Sequence, residues 1–167
     1  MWCLRNGGNI PMAEYSANAL QGVAAGQNVQ FTNAPDPCDK GLIIHRDGSG
    51  IFTLKGIVPN SCNCCNNNTN AVARYMVTYG ANVQIPTGGT VEEIALGLAV
   101  DGEILQDSIV RVTPAAVEQF QNISRTVSVP IPRGCCENVA IENITTQTIN
   151  VQEAGIVFSR PDLYVTR

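Results

Sequence analysis

The sequence predicts an all-β protein built as an antiparallel sandwich. Hydrophobicity in the longest regular segments alternates with a period of two residues, which is typical of half-buried strands. β-branched residues, which strands favour, are abundant throughout the chain. Short turn motifs separate these segments at the spacing that a β-sandwich requires, and 15 glycines and 9 prolines supply them.

The clearest strand is predicted at 71–85. Its odd positions form an apolar series, whereas its even positions include Arg74, Met76 and Thr78. Because successive side chains of a strand point to opposite faces, one face of this strand is expected to fill the core and the other to remain outside it. The members of the apolar series are Ala71, Ala73, Tyr75, Val77, Tyr79, Ala81, Val83 and Ile85.

The other elements follow from turn motifs. Asp47-Gly48 separates two predicted strands, and Asp101-Gly102 is a strong hairpin signal. We expect one helical turn at 114–119 and a turn at 153–155 before the last strand. The predicted strands besides the longest one are 41–46, 51–57, 94–100, 103–112, 119–131, 141–144, 149–151 and 156–159.

Composition limits the classes of protein that fit. The 167 residues suit one domain, and only 14% of them are charged against about 25% in average soluble proteins. Low charge predicts surfaces that contact other subunits. The net charge of −4 predicts no nucleic-acid partner. No signal peptide and no apolar run long enough to span a membrane is evident, so we expect synthesis in the cytoplasm and no membrane partner.

Seven cysteines and one histidine limit the possible chemistry. If consecutive strands run antiparallel, six of the cysteines are expected at one end of the sandwich, which we name the cysteine pole. Disulfides, reduced thiols and a four-thiolate zinc site are the alternatives, although the spacing differs from the usual zinc pair and we predict no metal. The pole comprises Cys38, Cys62, Cys64, Cys65, Cys135 and Cys136.

The N-terminus predicts an arm at 1–12, followed by a single domain at 13–167. Trp2, Cys3 and Leu4 place apolar side chains near its tip, and Gly7-Gly8 would make it flexible. The arm is either a frayed terminus or an anchor that docks on a neighbour. In the second case Cys3, the cysteine outside the pole, is a candidate link between subunits.

No catalytic constellation is evident. The sequence lacks a Gly-x-Ser-x-Gly motif, a phosphate-binding loop and a dinucleotide fingerprint. His45 is the one histidine, so a site with several histidine ligands is excluded, and we expect it to be an ordinary strand residue. We therefore predict no catalytic residue and no cofactor.

Four segments resemble the globular domains of the complement-head and tumour-necrosis-factor superfamily, and most of all its bacterial and phage versions. The resemblance covers about residues 13–160 and implies a ten-strand jelly roll in a tight threefold assembly. Arg74, Met76 and Thr78 would then line the trimer seam. The segments are 23–32, the Gly-Ile-Phe-Thr-Leu of 50–54, 73–80 and 154–160.

The chain also resembles head fibre and head decoration proteins of phages that infect gut Firmicutes, on the segments 113–118 and 132–136. This implies a non-enzymatic homotrimer on the virion surface that contacts proteins such as the major capsid protein. The alternatives are a spore-surface filament subunit and an adhesin for host glycans. Spore filament proteins differ in having a collagen-like stalk, and the animal superfamily lacks the Cys-Asn-Cys-Cys loop.

Overall fold

Two antiparallel sheets pack face to face in the computed structural model, which describes residues 11–32, 41–58 and 71–163. Sheet A contains β1 (Met12–Ala17), β11 (Ile149–Ser159), β5 (Val72–Gln84) and β9 (Gln121–Pro132) in this order, and β2 (Gln21–Val23) also pairs with β11. Sheet B contains β3 (Ile43–His45), β4 (Phe52–Lys55), β10 (Cys136–Asn143), β6 (Ile94–Val100) and β7 (Glu103–Ile104), and β8 (Val110–Val112) also pairs with β6.

This arrangement is a jelly-roll sandwich, so the predicted fold class is confirmed. β5 has the predicted alternation: Tyr75, Val77 and Tyr79 are buried, whereas Arg74 and Thr78 are exposed. The apolar face of sheet A lies against sheet B and encloses the core. β1 begins at Met12, the last residue of the predicted arm.

An aromatic cluster occupies one half of the core. The ring centroid of Phe52 lies 4.9 Å from that of Phe158 and 4.8 Å from that of Tyr15, and all three side chains are buried. His45 lies in β3, as predicted, and stacks on Phe52 with its Nε2 atom 3.0 Å from the carbonyl oxygen of Ser49. Burial of such large side chains supplies much of the hydrophobic free energy of folding.

The prediction of one continuous strand at 103–112 is wrong, because the segment is interrupted near its centre. A 3₁₀ turn at Gln106–Ser108 separates β7 from β8, although both strands pair with β6. The cause is Ser108, which is fully buried and accepts a 2.8 Å hydrogen bond from the backbone N–H of Leu98 through its hydroxyl. The hydroxyl of Tyr79 donates to the carbonyl oxygen of Ser108, and burial raises the pKa of Tyr79 to about 12.

Two predicted turns are also wrong. The segment 153–155 is a β-bulge inside a continuous β11, with Glu153 at φ +51° and its carboxylate accepting a 2.7 Å hydrogen bond from Asn82 Nδ2. No helical turn forms at 114–119, because Glu118 has a φ of +61°, which a right-handed helix does not permit. β10 begins at Cys136, five residues before the strand predicted there.

The hairpin predicted at Asp101-Gly102 is confirmed. Both residues have positive φ, +48° and +86°, as a type I′ turn requires.

The described residues include no helix with the length and hydrophobicity of a membrane span.

Candidate assembly surface

The outward face of sheet A contains the three predicted seam residues, and we name it the assembly face. Arg74, Met76 and Thr78 all lie on the side of β5 that points away from the core, with Met76 partly buried and the other two exposed. The structure therefore brings these three residues to one face, as the alternation of β5 predicts.

Small, uncharged side chains form the centre of this face. The hydroxyl oxygens of Thr78 and Thr126 lie 2.8 Å apart and join β5 to β9. Because these rows contain no ionisable side chain, covering them with another subunit costs no desolvation of a charge. The three cross-strand rows, each given from β11 through β5 to β9, are Ser159–Met76–Ser128, Val157–Thr78–Thr126 and Gly155–Gly80–Ser124.

Charged side chains lie at the two ends of the face and on its β1 side, where the exposed Glu14 lies opposite Val157. Arg74 lies opposite Pro130 at one end. At the other end a chain of hydrogen bonds runs from Asn122 Nδ2 to Asn82 Oδ1 (3.0 Å) and from Asn82 Nδ2 to Glu153 Oε2 (2.7 Å). The uncharged rows are thus bounded by polar groups, which is the arrangement of an interface core with a polar rim.

Cys135 lies in the turn between β9 and β10, and Cys136 is the first residue of β10. The chain on both sides of 59–70 contacts this turn. The backbone N–H of Gly56 donates to the carbonyl oxygen of Cys135 (2.8 Å), and that of Arg133 donates to Ala71 (3.0 Å). Cys135 and Cys136 are exposed, and neither forms a disulfide with another described residue. Cys38, Cys62, Cys64 and Cys65 lie outside the described residues, as do Trp2, Cys3 and Leu4, so the pole and the arm stay predictions.

Arg160, which directly follows β11, makes contacts that were not predicted from the sequence. Its side chain is 1% exposed and forms two hydrogen bonds with the Asp162 carboxylate, Nε to Oδ1 at 2.7 Å and Nη2 to Oδ2 at 2.8 Å. Nη2 also donates to the carbonyl oxygen of Ile57 (3.0 Å), and the guanidinium lies 4.8 Å from the ring centroid of Tyr75. The sequence offered one indication of this ion pair, because the Arg-Pro-Asp segment after the last strand places opposite charges two residues apart.

The Arg160–Asp162 ion pair is stabilised in its charged form. Burial alone would raise the pKa of the Asp162 carboxyl, but hydrogen bonds from Arg160 and from the backbone N–H of Arg74 lower this pKa below its usual value. Nη1 of Arg160 is buried and has no hydrogen-bond partner within the described residues. The pair therefore joins the end of β11 to the start of β5 and to the segment that follows β4.

No family model matches the sequence, and no curated protein matches it. Among solved structures, the globular domain of the zebrafish complement 1qA protein is similar at 12% identity and a TM-score of 0.54, with 94% of this chain and all of that domain covered. The PRD1 vertex protein P5 gives 10% identity, 93% and 99% coverage and a TM-score of 0.44. The first similarity shows the jelly-roll fold, whereas the second score is too low to establish a common fold.

Replacement of Asp162 by asparagine is expected to lower the free energy of unfolding at pH 7 by about 2 kcal/mol, because Arg160 would keep a buried charge without its counter-ion. The folded-state pKa of Asp162 is lowered, so its contribution is present above about pH 4 and is lost as the pH falls through the folded value. Urea unfolding at pH 7 and at pH 2.5 measures both effects.

The matched control is Glu103→Gln, which removes an exposed carboxylate from β7 and is expected to leave stability unchanged. Equal stability of Asp162→Asn and the unmodified protein at pH 7 would contradict the role given to the ion pair.

Proposed function

We propose that the chain is a non-enzymatic structural protein of a virion, which forms a homotrimer on a phage capsid as a decoration or head fibre protein. The observation that carries this proposal is the outward face of sheet A, with its central rows of small, uncharged side chains. The jelly-roll fold and the resemblance to phage head proteins support it. The proposal assigns no reaction and no cofactor to the chain.

In the proposed trimer, Met76 and Thr78 lie at the seam and Arg74 at its rim. A threefold axis requires heterologous contacts, so the face of one copy would contact a different part of the next. The β9 edge of sheet A is the natural partner, because β9 pairs only with β5 in the described structure. Phe120, which precedes β9, is 42% exposed and offers this edge an apolar anchor.

Substitution of Thr126 by arginine is expected to convert the trimer into a monomer, because it places an uncompensated charge in the centre of the seam. Sedimentation velocity at micromolar concentration measures the change. Ile44→Arg is the control, since Ile44 is 54% exposed on the outward side of sheet B and its replacement leaves the seam intact. An unmodified protein that sediments as a monomer would refute the trimer.

We further propose that Trp2, Cys3 and Leu4 anchor the trimer on the capsid. Deletion of residues 2–10 is expected to abolish co-sedimentation with capsids that lack the protein, while the trimer persists. Pro11 is retained because its carbonyl oxygen accepts a 3.0 Å hydrogen bond from the backbone N–H of Arg160. Undiminished capsid binding of the trimeric truncated protein would exclude the arm as the anchor, and no binding by the full chain would contradict the virion role.

For the cysteine pole we propose disulfide bonds that form after release from the cell. Each would close a long loop and stabilise the fold by about 2–4 kcal/mol. Intact mass spectrometry of the protein from particles is expected to show that reduction increases its mass by two hydrogens for each disulfide. A mass that does not change on reduction, or stoichiometric zinc, would overturn this part of the proposal.

A further inference from the structure

A groove of about 290 Å³ lies on the outward side of sheet B, away from the assembly face. Its floor includes the paired alanines Ala99 of β6 and Ala140 of β10, which are both almost fully buried. Ile51, 47% exposed, forms an apolar part of its lining. The groove thus offers an apolar surface, and the small alanine side chains leave space above it.

The groove results from a change of strand partner along β10. β4 pairs with β10 as far as Val139, whereas Asn28 forms the bridge to Glu142 further along the same strand. Gly50 allows the close approach at this point, because a Cβ atom there would lie 2.7 Å from both Asn28 Cβ and the Val29 carbonyl oxygen. The concave surface is therefore part of the fold.

Polar groups with unused hydrogen-bonding capacity surround the alanine floor. The backbone N–H of Asn138 donates to Asp101 Oδ1 (2.8 Å), and Asn138 Oδ1 accepts from the Thr53 hydroxyl (2.8 Å). The other carboxylate oxygen of Asp101, the amide nitrogen of Asn138 and the carboxylate of Glu142 make no hydrogen bond to the described residues. These atoms remain available to a ligand.

Among the described residues, the lining contains two carboxylates, Asp101 and Glu142, and no cationic side chain. Glu137 lies outside this lining, on the side of β10 that carries Val139 and Ile141, and burial together with the charge of Asp101 raises its pKa. Neither Asp101 nor Glu142 forms a salt bridge within the described part of the chain. The groove is therefore a site of uncompensated negative charge beside an apolar floor.

We propose that this groove binds the basic side chain, arginine or lysine, of a peptide segment from a partner protein. The alkyl stem of such a side chain would pack on Ala99, Ala140 and Ile51, and the cation would be attracted by the carboxylates of Asp101 and Glu142. The described residues contain no group of three or more metal-ligating side chains, which disfavours a metal ion. The inference is independent of the trimer and of the virion role, because it concerns the other sheet.

The test is an NMR titration of the ¹⁵N-labelled protein with the tripeptide Ac-Ala-Arg-Ala-NH₂. We expect chemical-shift changes at the amides of Ala99, Gly102 and Ala140, and a weaker interaction at higher salt. The same peptide with glutamine or glutamate in place of arginine is expected to cause no such changes. Equal shifts with the glutamine peptide would overturn the proposal, as would larger shifts at these amides with calcium ions or glucose.

Two isosteric variants test whether each carboxylate contributes to binding of the arginine peptide. Glu142→Gln and Asp101→Asn are each expected to weaken binding of the arginine peptide by about tenfold, because each removes a charge-assisted contact. Asparagine tolerates the positive φ at position 101 and keeps an acceptor for the Asn138 N–H. The control is Glu14→Gln, which removes an exposed carboxylate from β1 of sheet A. Unchanged affinity in both groove variants, or an equal loss in the control, would refute the assignment.

Discussion

The structure depends on the registration of β5 against the core. Shifting its pairing by one residue would move every apolar side chain of this long strand to the outside. Two tyrosines prevent such a shift: Tyr75 donates to the carbonyl oxygen of Lys55 (2.7 Å), and Tyr79 donates to that of Ser108. Both acceptors belong to the part of the chain that forms sheet B. The same contacts that close the sandwich therefore fix which β5 side chains form the assembly face.

Most of the fold follows from local sequence, because period-two hydrophobicity and the Asp101-Gly102 turn act over a few residues. The errors arise where a tertiary contact overrides a local pattern. A buried hydroxyl at Ser108 breaks a segment that is apolar enough to be a strand, and a side-chain hydrogen bond to Glu153 maintains a bulge where a turn is expected. Arg160 was missed because its partners include the backbone of Ile57, which is 103 residues away.

The two sheets present surfaces of different electrostatic character. Across β11, β5 and β9 the central rows contain no ionisable group, whereas the groove on sheet B contains Asp101 and Glu142 and, within the described part of the chain, no basic side chain in its lining. The charged side chains of the sheet A face, Glu14, Arg74 and Glu153, lie around these central rows rather than within them. The proposed self-association on sheet A and the proposed binding of a basic partner on sheet B are physically compatible, because they involve the outward faces of different sheets.

Arg160 connects the proposed anchor to the assembly face. Its backbone N–H binds the carbonyl oxygen of Pro11, and its side chain binds Asp162, whose carboxylate also accepts from the backbone N–H of Arg74. A load applied to the arm would pass through these hydrogen bonds into β11 and β5, the two central strands of sheet A. Those strands also form the proposed seam, so the load would be shared among the copies of the proposed trimer. An ion pair between the buried Arg160 and the more exposed Asp162 suits this position because its geometry, with two parallel hydrogen bonds, fixes direction as well as distance.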